Sequence, residues 1–356
     1  MSQAPVLEVQ HLFKYFPVKQ SIFRRGDSFV KAVDDVSFTL GRGEVLAVVG
    51  ESGCGKTTIA RTLIGLEEQT DGEIRFHGEI VGAHERRARA GLASLESVGA
   101  VGTREHLALP HIALKRLRQH AQMIFQDPYE SLNPRSTIFE IVAEPLVVHG
   151  IARGRAERTR RVRTALEEAG LRPAEDYYLR YPHELSGGQR QRVVIAAAMV
   201  LEPELLLADE PVSMLDVSIR AEILNLLNDL RQKRGVSIVF ITHDLSTVAY
   251  FADRIAVMYL GRIVESGRTA EVLKSPQHPY TKALLSVVPV PNPRLRRERI
   301  ILQGETPNAA QIPTGCRFHP RCPVAIDECK RIDPPYVQVS KTHQAACLMV
   351  HAGPSA

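Results

Sequence analysis

Long apolar segments are missing from this sequence of 356 residues. The longest candidate, residues 193–201, ends at Glu202 and Pro203, well short of the ~18 consecutive apolar residues that a membrane-spanning helix requires. Residues 1–7 contain neither the basic cluster nor the apolar core of an export signal. We therefore predict a cytoplasmic protein that reaches a membrane only through its partners.

A strong charge imbalance is also missing, because the net charge is only +5. Much of that excess comes from arginines at residues 153–163, followed by Glu167 and Glu168, a pattern typical of a solvated helix face. The pI near 9.0 leaves nucleic acid or anionic lipid as the alternative reading, but we predict no nucleic-acid partner. The hydrophobic content of 44% is sufficient for one large domain and a smaller appendage.

Cysteine is scarce, and paired CxxC motifs are absent. In a cytoplasmic protein the five cysteines are better explained as thiols or metal ligands than as disulfides. The spacing does not match a zinc ribbon, whereas four thiolates are the ligand set of a [4Fe–4S] cluster. A [4Fe–4S] cluster is our prediction, with zinc or four unliganded thiols as the alternatives. The four residues near the C-terminus are Cys316, Cys322, Cys329 and Cys347.

Residues 50–57 form a glycine-rich loop between a mostly apolar strand, residues 44–49, and a predicted helix, residues 58–66. This context is the one that a phosphate-binding loop requires. Glycines let backbone N–H groups turn toward the phosphates, Lys56 neutralises the β/γ charge, and the Thr57 hydroxyl binds Mg²⁺. A chance glycine turn is the alternative. The residues predicted to contact ATP are Gly50, Ser52, Gly53, Cys54, Gly55, Lys56, Thr57 and Thr58.

An acidic pair follows the apolar run at residues 205–208. Asp209 is placed to hold the Mg²⁺ shell, and Glu210 is the predicted catalytic residue that orients or deprotonates the attacking water. The alternative is a solvated strand end, which the phosphate loop upstream disfavours.

A pentapeptide, Leu-Ser-Gly-Gly-Gln at residues 185–189, precedes a helix predicted at residues 191–200. Together with the phosphate loop it resembles the ATPase subunits of ABC transporters. In that family the pentapeptide of one subunit covers the ATP held by another, so the resemblance implies a dimer. Glycine-exposed N–H groups at a helix N-terminus suit a γ-phosphate. The residues expected to contact the other subunit's nucleotide are Ser186, Gly187, Gly188 and Gln189.

Four further positions match motifs of that family. Gln126 corresponds to the glutamine that senses Mg²⁺ and touches the membrane partner, and His243 to the histidine that contacts the γ-phosphate. The resemblance therefore adds both residues to Glu210 as predicted catalytic residues. A lone histidine after a strand is more often structural. Asp216 lies in the loop that signals across the dimer. The family places an aromatic residue on the adenine, which we assign to Phe16, with Tyr15 as the alternative.

The resemblance implies an α/β fold with a RecA-like P-loop ATPase core, a β-rich N-terminal part, a helical ABC subdomain and a C-terminal cysteine-bearing extension. We place the ATPase domain at residues 1–265, with the helical subdomain at about 127–192 and an insertion at about 78–122, and the extension at 266–356. Buried strands alternating with helices predict a parallel sheet. The predicted strands are residues 6–16, 36–40, 44–49, 205–208 and 236–241, and the helix between the last two is residues 219–233. A linker is indicated by Pro276, Pro279, Pro289, Pro291 and Pro293.

The C-terminal part narrows the resemblance. Residues 278–285 and 315–323 are similar to the extension of ATPases from oligopeptide and dipeptide importers. Relatives with this extension also import nickel or glutathione, and some carry a [4Fe–4S] cluster. Because the core motifs all precede residue 265, we expect loss of the cluster to leave ATP binding largely intact.

The resemblance implies an ATPase that powers import of di- or oligopeptides from the cytoplasmic face of the membrane. The implied partners are a second ABC ATPase subunit, related but different, two transmembrane permease subunits and an extracytoplasmic substrate-binding protein. The main rival is a soluble ABC ATPase acting on ribosomes or nucleic acid, but the paired cassettes or coiled-coil insertions of those proteins are not present in the sequence. An exporter ATPase and a catalytically silent subunit are disfavoured by the C-terminal extension and by the intact motifs.

Overall fold

A computed structural model of the chain describes residues 4–18, 29–84, 111–288, 299–302, 304–305 and 307–351. The chain divides into two compact units. The first unit comprises Met1–Val6, Leu40–Val45 and Pro110–Ile241, and the second comprises Leu7–Thr39, Leu46–Leu109 and Thr242–Ala356.

The described residues form strands and α-helices whose bounds are as follows. The strands are β1 (Leu7–Pro17), β2 (Phe29–Leu40), β3 (Val45–Val49), β4 (Asp71–Phe76), β5 (Glu79–His84), β6 (Ala121–Ile124), β7 (Leu205–Asp209), β8 (Ser237–Thr242), β9 (Arg254–Tyr259), β10 (Arg262–Arg268), β11 (Val337–Gln338) and β12 (Gln344–Ala345). The helices are α1 (Lys56–Leu63), α2 (His111–His120), α3 (Pro128–Ser131), α4 (Ile138–Val148), α5 (Arg155–Glu168), α6 (Gly187–Met199), α7 (Val217–Arg234), α8 (Leu245–Phe251), α9 (Thr269–Lys274) and α10 (Pro279–Ser286).

In the first unit, β7 lies between β6 and β8 and runs parallel to both. The register pairs Ala208 with Ile124 on one side and with Phe240 on the other. All residues of β7 are buried, as expected for a parallel strand covered on both faces. This burial explains why the strand reads as an unbroken apolar run, and it places the acidic residues at the carboxyl edge of the sheet.

The helices α4, α5 and α6 pack against one another in the same unit. Helix α4 begins at a capping box in which Thr137 and Glu140 each bond the other's backbone N–H. Leu146 of α4, Leu166 of α5 and Ile195 of α6 are fully buried, and each contributes about 2 kcal/mol through removal of apolar surface from water. These helices lie within or extend from the segment predicted as the helical subdomain and account for nearly half of its residues.

The second unit contains a four-stranded sheet in the order β2-β1-β4-β5. Strand β4 is antiparallel to both β1 and β5. In the other sheet of this unit, β9 is parallel to β3 and antiparallel to β10, and the C-terminal strands β12 and β11 add to the β10 edge. Strands β10 and β9 therefore lie between the C-terminal strands and β3, the strand that leads into the glycine loop.

The predicted α/β class and the strands of the core are confirmed. The helix predicted at 219–233 is α7, and the one predicted at 58–66 is α1, which begins two residues earlier. The sheet is not purely parallel, because β10 pairs antiparallel with β9. Pro279 was expected in a loop but lies in the first turn of α10, where its missing N–H costs no hydrogen bond.

The predicted insertion at residues 78–122 is partly regular structure. Its first residues form β5, and residues 121–122 belong to β6. Residues 85–110 lie outside the described part of the chain, as do Pro289, Pro291 and Pro293 of the predicted linker. The predicted boundary at residue 265 stays a prediction; β10 runs across it. Among the described residues, every helix is too short or too polar to span a membrane.

Candidate functional site

The phosphate loop joins β3 to α1 in the second unit. Gly55 is the residue before the helix and has φ 109°, a conformation that L side chains rarely adopt. A Cβ at Gly55 would lie 2.0 Å from the Ala32 carbonyl oxygen, and a Cβ at Gly50 would lie 2.2 Å from the Met258 carbonyl oxygen. Glycine is therefore required at both ends of the loop by close backbone neighbours.

Lys56 is buried and its side chain turns back into the loop. Its Nζ donates to the Gly50 carbonyl at 2.8 Å and to the Glu51 carbonyl at 2.9 Å. This places the cation inside the curve of the loop, where a phosphate charge would be neutralised. Cys54 is also buried, and burial raises the pKa of its thiol. A thiol in this setting is unreactive, so we expect Cys54 to serve the loop through its backbone.

The acidic pair ends β7 in the first unit. Asp209 is buried and Glu210 is partly exposed. Glu210 has φ 46°, and its N–H donates to the Ile241 carbonyl at 2.9 Å. The Glu210 side chain accepts a hydrogen bond from Gln126, with Nε2 and Oε2 separated by 3.2 Å. The structure thus brings together two of the three residues predicted to be catalytic.

The pentapeptide begins α6, also in the first unit. The helix starts at Gly187, four residues before the predicted start, because Ser186 and Gln189 form a capping box. The Ser186 Oγ accepts from the Gln189 N–H at 3.3 Å, and the Gln189 Oε1 accepts from the Ser186 N–H at 3.0 Å. A Cβ at Gly188 would lie 2.7 Å from the Ile219 Cγ2 in α7. Ser186 is exposed and stands at the positive end of the helix dipole.

The remaining sequence-predicted residues lie in loops and strand ends. His243 is exposed directly after β8, and Asp216 is exposed as the residue before α7. Phe16 is partly exposed near the end of β1, with the Lys14 Nζ at 4.6 Å from its ring centre. The Tyr15 hydroxyl instead donates to Asp34, and burial raises the pKa of Tyr15. The structure therefore favours Phe16 over Tyr15 as the exposed aromatic surface.

The four cysteines of the C-terminal part lie in the second unit. Cys329 and Cys347 are buried, whereas Cys316 and Cys322 are partly exposed. Burial, with smaller effects from the other three thiols, raises the pKa of Cys316 to about 11. Among the described residues, which include all four cysteines, no group of three or more His, Cys, Asp or Glu side chains is arranged to hold a metal ion. The predicted [4Fe–4S] cluster and its zinc alternative are therefore not supported by this geometry.

Two residues of the C-terminal part that the sequence did not link to the nucleotide site contact the phosphate loop within the second unit. Arg321 forms an ion pair with Glu51 at 2.7 Å, and the Tyr280 hydroxyl accepts a hydrogen bond from the Glu51 N–H at 2.9 Å. Arg321 and Glu51 are 270 positions apart, so no local pattern links them.

Two features of this chain define a P-loop ATPase. One is a glycine loop that joins a parallel strand to a helix and encloses a lysine, and the other is an acidic pair after a buried strand. The family model described as "ABC transporter" matches residues 33–213. The model described as "Oligopeptide/dipeptide transporter, C-terminal region" matches residues 264–329. This chain belongs to the ABC transporter ATPase family.

Two relatives with described functions are similar in sequence to nearly the whole of this chain. The Oligopeptide transport ATP-binding protein AppF of Bacillus subtilis is 45% identical over 349 residues, which are 97% of this chain and 98% of the relative. The Dipeptide transport ATP-binding protein DppF of Haemophilus influenzae is 44% identical over 346 residues, 97% of each chain. Among solved structures, the ATP-binding cassette MJ0796, a dimer in a post-hydrolysis state with ADP and Pi, is 26% identical with a TM-score of 0.59, covering 74% of this chain and 98% of that chain.

Proposed function

We propose that this chain is the ATP-hydrolysing subunit of an ABC importer for di- or oligopeptides. The hydrogen bond between Gln126 and Glu210 carries the proposal, because it joins the glutamine assigned to the membrane partner with the carboxylate assigned to water activation. The peptide substrate class is supported by the match of residues 264–329 and by the two transport ATP-binding relatives.

Within the phosphate loop, Lys56 neutralises the β/γ-phosphates, and the backbone of residues 50–57 binds them. Thr57, Asp209 and Gln126 are the proposed Mg²⁺ residues, and their hydroxyl, carboxylate and amide oxygens are the ligands that Mg²⁺ prefers. Mg²⁺ would supply charge neutralisation of the phosphates. Glu210 orients the attacking water or takes its proton, and its partial exposure keeps the carboxylate accessible to that water.

The nucleotide-binding site is completed by a second subunit. Ser186, Gly187, Gly188 and Gln189 of this chain contact the γ-phosphate of ATP held by the partner ATPase. The exposure of Ser186 directly before α6 supports this role, because the N–H groups at a helix N-terminus attract anions. His243 contacts the γ-phosphate, Asp216 transmits the state of the dimer, and Phe16 stacks on the adenine.

The assembly proposed from these roles lies at the cytoplasmic face of the membrane. It contains a second, related ATPase subunit, two transmembrane permease subunits and an extracytoplasmic substrate-binding protein. Release of the shared γ-phosphate contacts after hydrolysis would separate the ATPase subunits and reset the permease.

Metal binding by the C-terminal cysteines is a finer part of the proposal. A [4Fe–4S] cluster, or zinc in its place, is supported by the four-thiol content and by the influence of Cys322, Cys329 and Cys347 on the Cys316 thiol. The side-chain arrangement does not itself meet a metal site, so no catalytic step is assigned to the cluster.

The test is purification of the chain with its co-expressed neighbours, followed by reconstitution into liposomes. Di- and oligopeptides should stimulate ATP hydrolysis and accumulate inside the vesicles, and a Glu210→Gln assembly should do neither. Stimulation by nickel or glutathione, without stimulation by peptides, would replace the substrate class and keep the importer. Co-purification with ribosomes or nucleic acid, without permease subunits, would contradict the transport function.

A further inference from the structure

The segment between Cys316 and Cys322 is anchored at two points within the second unit. Near its start, the buried Arg317 donates to the carboxylate of Asp34 in β2 and to the Leu260 carbonyl. Near its end, Arg321 reaches Glu51 of the phosphate loop. Both arginines are more than nine-tenths buried, so their guanidinium groups are held at these partners.

The contact between Arg321 and Glu51 has the geometry of a bidentate pair. Nη1 lies 2.7 Å from Oε2, and Nη2 lies 3.1 Å from Oε1. A planar guanidinium that bonds both carboxylate oxygens fixes the orientation of the carboxylate as well as its position. The Glu51 side chain is therefore held in one direction by the C-terminal part of the chain.

Tyr280 holds the backbone of the same residue. Its hydroxyl accepts from the Glu51 N–H at 2.9 Å, and its ring is fully buried. Tyr259 and Phe318 pack against that ring with centroids 4.8 Å and 5.4 Å away. A hydroxyl on so enclosed a ring has little freedom to move, so the first turn of the phosphate loop is fixed at Glu51.

The negative charge of Glu51 affects the binding of ATP. The loop binds a strongly anionic triphosphate, yet Glu51 places a carboxylate within it. A carboxylate near the phosphates would repel them unless a cation neutralises it. Arg321 supplies that cation from outside the loop.

We propose that Arg321 is a positioning residue that masks the Glu51 charge and orients the phosphate loop, so that ATP affinity depends on the C-terminal cysteine segment. This inference rests on the proposed nucleotide role of residues 50–57. It adds a dependence that the sequence did not indicate, since the expectation from sequence was only that loss of the cluster leaves ATP binding largely intact.

The test uses the full chain and equilibrium binding of a fluorescent ATP analogue with Mg²⁺. Arg321→Ala should raise Kd about tenfold, equivalent to about 1.4 kcal/mol. In the assembled transporter, KM for ATP should rise by a similar factor while kcat stays within about twofold. Arg321→Lys, which keeps the charge, should restore most of the affinity.

The diagnostic variant is the pair Glu51→Gln with Arg321→Ala. Removing the carboxylate leaves no charge to mask, so Kd should return to within about twofold of the parent. The control is Lys330→Ala, which breaks an exposed ion pair with Asp327 in the same C-terminal part and should leave Kd unchanged.

Parent-like Kd for Arg321→Ala would overturn the proposal, and a double variant as weak as the single one would overturn the masking argument. Should Arg321→Ala fail to fold by thermal melting, Arg321→Gln decides in its place, because it removes the charge but keeps a long polar side chain: parent-like Kd for that variant would also overturn the proposal. Lys56→Ala distinguishes a failure of this inference from a failure of the proposed function. Parent-like ATP binding by that variant would contradict the nucleotide role of the loop itself.

Discussion

Gln126 donates a hydrogen bond from Nε2 to Oε2 of Glu210, although the two residues are 84 positions apart. Gln126 follows β6 and Glu210 follows β7, and these strands are parallel neighbours. The carboxyl ends of parallel strands meet at one edge of a sheet, where ligands of open α/β folds bind. A displacement of Gln126 would therefore change the position of the Glu210 carboxylate directly.

Replacement of Glu210 should separate binding from turnover. Glu210→Gln keeps the shape and the hydrogen bond with Gln126 but loses the base, so hydrolysis should fall by about 100-fold or more while ATP binding persists. The trapped ATP should hold the ATPase subunits together, which size-exclusion chromatography with ATP would detect. Hydrolysis at the parent rate would remove Glu210 from its assigned role.

The position of Ser186 across the dimer can be tested with paired lesions. Ser186→Arg in this chain and a phosphate-loop lysine substitution in the partner ATPase strike the same composite site. The second lesion should therefore add little to the loss of activity caused by the first. Ser186→Arg combined with Lys56→Ala in the same chain strikes both composite sites and serves as the comparison. Equal losses from the two combinations would contradict the assignment.

Acid should destabilise the second unit through His278. Burial lowers the pKa of His278 from its ordinary value of 6.5 to about 4, and its Nδ1 accepts from the Tyr280 N–H at 3.1 Å. The folded state thus favours the neutral ring. Its contribution to stability is complete above about pH 6.5 and is lost as the pH falls toward about 4, with a slope of at most about 1.4 kcal/mol per pH unit.

Denaturant unfolding at pH 7.5, 6 and 5 checks this contribution. His278→Asn retains an acceptor before α10 but cannot titrate, so its stability should fall less over the same range. An equal pH dependence in the parent and in His278→Asn would show that other groups cause the loss.

Metal analysis of the purified protein tests whether the C-terminal cysteines bind a cluster. If the proposed cluster forms, anaerobically purified protein should be brown and contain iron and acid-labile sulfide in roughly equal amounts. Cys316→Ser should remove both, whereas Cys54→Ser, outside the C-terminal part, should retain them. One equivalent of zinc without iron would support a zinc site, and no metal would leave four unliganded thiols.

The parts of the site that were predictable are those encoded in short segments. The glycine loop, the acidic pair and the pentapeptide each carry a local pattern whose chemistry is readable without coordinates. The start of α6 was misplaced because Gly187 and Gly188 are poor helix formers, although Ser186 and Gln189 already carried a capping-box signal.

The contacts of Glu51 were beyond prediction for a physical reason. Arg321 and Tyr280 reach it only because the chain after β10 folds back onto the phosphate loop, and such long-range contacts leave no periodic trace in sequence. Asp34 is a similar case: its burial against Arg317 makes Tyr15 a structural residue, and this alone separates Tyr15 from Phe16.

The close approach of Gly188 to Ile219 restricts which residues can replace either of them. A methyl group at position 188 would overlap the Ile219 side chain, so the two positions are not free to change independently. Gly188→Ala would force α6 and α7 apart, and a smaller residue at 219 would have to appear first. Substitution at one of these sites should therefore be conditional on the residue at the other, with the branched side chain of Ile219 acting as the barrier.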